Sequence, residues 1–163
     1  MTHKIVSLEE ICSLREQLAS QGRKVVFTNG CFDLLHIGHV RYLKEAKKQG
    51  DLLIVGLNDD ESTRHIKGPG RPFIAQRDRA EILAALEFVD YVIIFSERTA
   101  ERLVRALKPD TYVKGGNYRV EELPEAKVVA EYGGQVHLTP VTAGRSTTNL
   151  ISDILAHYEG EGR

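Results

Sequence analysis

A doubly wound α/β fold, an open parallel sheet of about five strands with helices on both faces, is what this chain predicts. Three observations carry that expectation. Short apolar runs rich in β-branched residues recur at 25–28, 52–57, 91–95, 110–114 and 135–138, stretches of helical spacing fall between them, and glycine or proline marks most junctions. A strand, helix, strand order of this kind implies right-handed parallel crossovers.

The first helix is announced by Ser7-Leu8-Glu9-Glu10, a capping box in which Ser7 and Glu10 satisfy each other's backbone donors, with Val6 and Ile11 as a hydrophobic staple. Leu8, Ile11, Leu14 and Leu18 make its apolar stripe and Gly22 ends it. The first strand, VVFT at 25–28, is broken at Asn29-Gly30, and helical spacing resumes with Val40, Leu43 and Ala46 before Gly50. After the second strand, Asn58-Asp59-Asp60-Glu61 opens a loop or short helix, and 64–78 reads as an irregular basic stretch, either a solvated surface turn or a mobile flap. That stretch is no P-loop, since GxxxxGK[ST] is missing. Ile82, Leu83, Leu86 and Val89 then form an apolar helical face, and Leu103, Ala106 and Leu107 another, which Pro109 stops. Ala126, Val129, Ala130 and Tyr132 suggest a further helix before Gly133-Gly134. A terminal helix is expected with Leu150, Ile151, Ile154 and Leu155 inward.

Composition narrows the function. The 163 residues, 42% hydrophobic, suffice for one core and are short for two, so a single domain over 1–163 is expected. Twenty-two basic residues against 23 acidic ones leave a net charge of -1, which suits neither a nucleic-acid-coating nor a membrane-surface protein. Neither a signal peptide nor a membrane span can be read, so a cytoplasmic protein is expected. Cys12 and Cys31 form no disulfide framework and are expected to be reduced.

The chemistry centres on His36-Ile37-Gly38-His39, between the first strand and its helix. This is where open α/β sheets bind phosphorylated ligands, at a helix N-terminus beyond a strand's carboxyl end. Three residues apart in an incipient turn, both imidazoles can face one anion, and Gly38 lacks the Cβ that would hold a phosphate off the backbone. Such a pair can stabilise charge growing on phosphorus-bound oxygens. A zinc role fits less well, because no third ligand stands at a recognisable spacing and HExxH is absent. Further along, Gly115-Gly116-Asn117-Tyr118 leaves a strand where a flat base could approach closely. Arg145 and the hydroxyls of Ser146-Thr147-Thr148 precede the last helix, whose positive end suits β- and γ-phosphates.

GCFDLLHIGHVRYLKEAK resembles the HxGH segment of the nucleotidyltransferase superfamily that includes cytidylyltransferases and adenylyltransferases of small phosphorylated substrates. Lys67-Gly68-Pro69-Gly70-Arg71-Pro72, Val113-Lys114-Gly115-Gly116-Asn117-Tyr118 and Gly144-Arg145-Ser146-Thr147-Thr148 resemble its branch of adenylyltransferases in bacterial ADP-heptose synthesis. The resemblance implies His36 and His39 as catalytic, and Gly30, Cys31, Phe32, Gly115, Gly116, Asn117, Tyr118, Arg145, Ser146, Thr147 and Thr148 as nucleotide-binding. It implies Lys67, Arg71 and Arg79 as contacts to substrate or triphosphate. Related cytidylyltransferases carry RTEGxSTT where this chain has VTAGRSTT; the leading arginine is absent, and Arg145 is expected to supply its charge.

The implied reaction is attack by D-glycero-β-D-manno-heptose 1-phosphate on the α-phosphorus of ATP, with Mg²⁺ accompanying ATP and no metal ligand assigned among the protein side chains. A homodimer, a separate heptose kinase and a role in lipopolysaccharide precursor supply are implied likewise. Other readings stay open: CTP with an alditol phosphate such as glycerol 3-phosphate, ATP with a flavin nucleotide, a sensing module without turnover, or a structural interaction domain. Pyrophosphate release separates enzyme from sensor, and triphosphate affinity separates both from the structural domain.

Overall fold

The computed structural model describes residues 3–161, built on a five-stranded sheet whose neighbouring strands all run parallel. In chain order the elements are α1 (Leu8–Ser20), β1 (Val25–Gly30), α2 (Ile37–Lys47), β2 (Leu52–Asn58), α3 (Asp60–Lys67), α4 (Gln76–Ala84), β3 (Tyr91–Phe95), α5 (Glu101–Leu107), β4 (Thr111–Gly115), α6 (Pro124–Glu131), β5 (Gln135–Thr139) and α7 (Thr147–Glu161). A 3-10 turn at Val120–Glu122, which the sequence pattern did not announce, precedes α6. The strand order is β3-β2-β1-β4-β5, the doubly wound arrangement expected.

Both faces of the sheet are covered, which is why its inner strands read as continuous apolar runs. Val25 and Phe27 of β1 join Ile11 of α1, Leu103 of α5 and Val129 of α6 in one layer. Val26, pointing the other way, joins Leu43 of α2 and Leu83 of α4. Each such buried aliphatic or aromatic side chain stabilises the fold by roughly 2 kcal/mol.

The feature that makes a site lies between β1 and β4. These strands pair only at Val26↔Thr111 and Phe27↔Tyr112, then separate, while β1 stays with β2 as far as Gly30↔Leu57 and β4 with β5 as far as Gly115↔Thr139. The resulting crevice is the topological switch point of the sheet. Tyrosines tie it from both faces. Tyr42 of α2 donates its hydroxyl to the Val113 carbonyl at 3.1 Å and also meets the Thr28 hydroxyl, and Tyr112 donates to Asn29 Oδ1 at 2.6 Å.

Several local expectations change. The capping box of α1 is present, but α2 begins at Ile37, a turn before Val40, because His36 caps it. Asp59 caps α3 through Ser62, so helix persists to Lys67 and the irregular stretch shrinks to 68–75. In α4 the inward residues are Arg79, Ala80, Leu83 and Ala84, whereas Ile82 is 39% exposed. Val104, not Ala106, faces inward from α5. The largest departure is α7. Leu150, Ile154 and Leu155 were expected inward, yet they are exposed, Leu155 at 55%, together with Tyr158 at 69%. Other helices already cover both faces of the sheet, so this stripe has nothing among the described residues to pack on.

Candidate active site

The loop leaving β1 turns sharply, with Phe32 and Leu34 both in the left-handed region (φ 46° and 54°). It opens a cavity of about 490 Å³ at the carboxyl ends of β1 and β4, lined here by Gly30, Cys31, Phe32, His36 and His39. The two imidazoles stack with centroids 3.9 Å apart and planes inclined by 32°. Their orientation follows from the helix start. Nδ1 of His36 accepts the Gly38 amide at 3.1 Å, and Nδ1 of His39 accepts the His36 amide at 3.3 Å. Since Nδ1 is an acceptor in both neutral rings, each proton sits on Nε2, leaving one N–H donor per ring for a ligand. Burial holds both pKa values below the usual imidazole range, His36 with help from the Arg145 charge. His39 falls to about 4 through burial, then His36 and Lys67.

Gly38, which borders the cavity, has a second reason to lack a side chain. A Cβ there would lie 2.9 Å from Nδ1 of His36 and 3.3 Å from the Arg145 carbonyl, so the missing side chain admits the capping imidazole and the loop before α7.

Asp33 joins the site to its surroundings. Fully buried, its carboxylate accepts from Arg71 Nε at 2.7 Å, the Phe73 amide at 2.8 Å and the Ile74 amide at 3.1 Å, while its carbonyl accepts the Thr147 hydroxyl at 3.0 Å. Burial alone would raise its pKa, but the donors from Phe73, Arg71 and Ile74 outweigh it and hold the value below the usual carboxylate range. The 68–75 stretch is thus tethered, and Lys67 and Arg71 both reach the cavity wall.

Arg79 does not line the cavity, contrary to expectation. Only 1% exposed, it donates to the carbonyls of Cys31 (2.6 Å), Asn58 (2.9 Å) and Ile74 (2.8 Å) and pairs with Asp60 at 2.8 Å, so its donors go to holding the floor of the site.

On the opposite wall stand Lys114, Gly115 and Tyr118, whereas Gly116 and Asn117, expected with them, do not border the cavity. Gly116 takes φ 132° and turns the chain away, so its amide bonds the Thr139 carbonyl instead. A Cβ on Gly115 would sit 2.9 Å from the Tyr42 ring, so this glycine makes room for the tyrosine that ties the crevice. Lys114 Nζ lies 5.9 Å from the Tyr118 ring centre. Burial lowers its pKa, and the buried carboxylate of Glu125 behind the strand opposes that. The rim is closed by Arg145, Ser146, Thr147 and Thr148 at the start of α7, with Ser146 Oγ accepting the Asn149 amide at 3.0 Å.

Asn29, Asp33, Tyr42 and Lys114 also border the cavity and escaped the sequence reading. Lys114 carried one available signal, a cation closing an otherwise apolar strand.

A parallel switch-point crevice, two Nε2–H donors and a helix N-terminus meet on one cavity, an arrangement suited to a phosphorylated ligand. The sequence model of the cytidylyltransferase-like family matches residues 27–152, and the chain belongs to that family. It is 51% identical over 158 residues to the bifunctional protein HldE of Geobacter metallireducens, covering 97% of this chain and 32% of that protein. HldE of Syntrophotalea carbinolica is 49% identical over 98% of this chain and 34% of its own length. The chain therefore spans about a third of these curated relatives. Among solved structures, a lipopolysaccharide core biosynthesis protein from Thermoplasma volcanium is 30% identical with a TM-score of 0.61, over 74% of this chain and 98% of that one. Pantoate-beta-alanine ligase from Francisella tularensis, 16% identical with a TM-score of 0.59 over 88% of this chain and 68% of its own, shares the fold.

Proposed function

We propose that the chain transfers AMP from ATP to D-glycero-β-D-manno-heptose 1-phosphate, giving ADP-heptose and pyrophosphate. The observation that carries the chemistry is the His36–His39 pair, two neutral rings with Nδ1 occupied and Nε2–H available at the same cavity as the α7 N-terminus. A sugar-phosphate oxygen forms a bond to the α-phosphorus as the bond to the bridging oxygen breaks, and pyrophosphate leaves with that electron pair. The nucleophile is already an anion, so no base is needed. His36 and His39 stabilise the α-phosphoryl oxygens, and Arg145 with Ser146, Thr147 and Thr148 receives the pyrophosphate.

Among the described residues no cluster of His, Cys, Asp or Glu could hold a metal, and Asp33 is committed to Arg71 and the 73–74 amides. Mg²⁺ would be carried on the triphosphate, with the hydroxyls of Ser146, Thr147 and Thr148 at the cavity rim as the groups that would help hold it. Bound so, it would neutralise phosphate charge.

The heptose acceptor is supported by the 67–72, 113–118 and 144–148 stretches, and by a 30% identical relative named for lipopolysaccharide core biosynthesis. A cytoplasmic homodimer supplied with heptose 1-phosphate by a heptose kinase activity belongs to the same reading. Among the described residues no helix is long and apolar enough to cross a membrane. The family's description favours a second reading, CTP with an alditol phosphate. A pyrophosphate-release assay with ATP and CTP against heptose 1-phosphate, glycerol 3-phosphate and a flavin nucleotide tests both. ATP with heptose 1-phosphate should be fastest. Faster release with CTP would favour the second reading, and none with any pair would leave a sensing module.

A further inference from the structure

Where β1 and β4 begin to part, one side chain on the cavity is held by its oxygen alone. Asn29 is only 7% exposed and borders the cavity, and its Oδ1 accepts the hydroxyl of the wholly buried Tyr112 at 2.6 Å. Its Nδ2 makes no hydrogen bond among the described residues. Unlike Thr139 Oγ1, which is sealed inside the protein without a partner, that nitrogen reaches open space, and the space Asn29 borders is the cavity. The amide is planar, so a bond that fixes Oδ1 also fixes where the two N–H groups point. Leaving such a donor unpaired in a nearly buried position is unfavourable, and a ligand oxygen relieves it.

The position of Asn29 narrows what that oxygen is. Asn29 follows Phe27 by two residues along β1, so both side chains lie on the face of α1, α5 and α6, where Phe27 and Tyr112 pack together. His36 and His39 belong to α2, on the other face, and the loop before α7 meets that helix where the Arg145 carbonyl approaches Gly38. The groups suited to phosphate are therefore gathered on the side away from Asn29. A neutral amide donor adds no charge to attract an anion; it matches an uncharged oxygen. The ring on which a base could stack, Tyr118, is 47% exposed and stands apart from this buried position. What remains of both proposed substrates is their sugar. We propose that Asn29 Nδ2 donates to a sugar hydroxyl, of the ribose or of the acceptor, and that Tyr112 is the positioning residue that turns the amide towards it. This rests on the nucleotidyltransferase reading above. A site built in this way rejects the analogue that lacks the hydroxyl, because the N–H is then left unpaired.

The test pairs deletions on the protein with deletions on the ligand. Binding is measured by calorimetry for ATP with its 2′-deoxy and 3′-deoxy forms, and for heptose 1-phosphate with the forms lacking one hydroxyl each, every ligand alone so that nothing turns over. One deletion should cost the native protein at least about tenfold in affinity, and in Asn29→Ala that penalty should shrink to about twofold or less. A penalty of this kind in the ATP series assigns the ribose, and one in the heptose series assigns the acceptor; either supports the donor. Tyr112→Phe keeps Asn29 but frees its amide, so it should lose part of the same discrimination and leave affinity for the other substrate within about twofold. A native protein with no such penalty overturns the assignment. So does an Asn29→Ala that weakens every member of a series equally, since Asn29 then only ties the strands. Pyrophosphate release from ATP with heptose 1-phosphate tests the transferase reading separately. Binding of both without release removes that reading and leaves Asn29 to be decided by the affinities, whereas binding of neither removes both. Asn29→Ser, which shortens the side chain, serves if the alanine variant does not fold.

Discussion

The backbone N–H of His36 donates to Nδ1 of His39 across 3.3 Å, so the cap of α2 and the orientation of the second imidazole are one interaction. With Nδ1 of His36 also engaged, each ring offers only its Nε2–H. Replacing either histidine by alanine should lower turnover at least about a hundredfold, the loss expected when a transition-state donor is removed. Asparagine at position 36 can still cap the helix, so His36→Asn should keep the native melting temperature yet remain inactive. Near-native pyrophosphate release in both alanine variants would remove the pair from the mechanism.

The same buried rings make stability depend on pH. In the fold the pKa of His39 is about 4 against an ordinary 6.5, so between these values the unfolded chain binds more protons than the native one. This contribution is therefore fully present above pH 6.5 and is lost as pH falls through the folded value near 4. His36 shifts in the same direction. Urea midpoints across pH 4 to 7 should drop towards acid, and His39→Gln should flatten part of that slope. An identical slope in the variant would place the acid sensitivity elsewhere.

Asp33 is the point at which the 68–75 stretch can be released. Asn in its place keeps one acceptor but presents an amide N–H to donors from Arg71, Phe73 or Ile74. Losing charge-assisted bonds at a buried carboxylate should cost about 2 kcal/mol and loosen the stretch. Limited proteolysis should then cut Asp33→Asn near Lys67 and Arg71 faster than the native chain. ATP with a sugar phosphate should protect the native stretch. Equal cutting of both proteins would show that the tether does not govern access.

The HxGH stretch was legible because strand, loop, cap and histidines are contiguous, so one short window contains the whole device. Lys114 and Asp33 were not, since their roles arise only when β1 and β4 part and bring positions 33, 71, 114 and 147 to one crevice. Arg79 stands back from the cavity for a related reason. An arginine beside a phosphate site reads as a ligand contact until its donors are traced to Cys31, Asn58, Ile74 and Asp60. For α7, apolar spacing gave the shared face correctly in part, but spacing cannot say whether any surface remains to cover it.

Base choice is where the heptose assignment can fail while fold and phosphate chemistry survive. Adenine offers a larger face than cytosine, and the aromatic surface on the far wall is Tyr118, 47% exposed and held against Lys114. Stacking on such a ring is worth roughly 1–3 kcal/mol per base, and a tenfold preference needs only about 1.4 kcal/mol. ATP should therefore exceed CTP in kcat/KM by at least about tenfold, and Tyr118→Ala should erode that ratio while leaving pyrophosphate affinity intact. Gly115→Val should behave differently. Its Cβ would meet the Tyr42 ring at 2.9 Å and disturb the hydroxyl that ties Val113 to Thr28, so ATP use, pyrophosphate binding and thermal stability should fall together. Measuring kcat/KM for both triphosphates with one heptose 1-phosphate preparation, in the native chain and both variants, separates the roles. Equal or better use of CTP by the native protein would overturn the adenylyltransferase assignment, and a stable Gly115→Val that binds pyrophosphate but rejects ATP would return Gly115 to the base pocket.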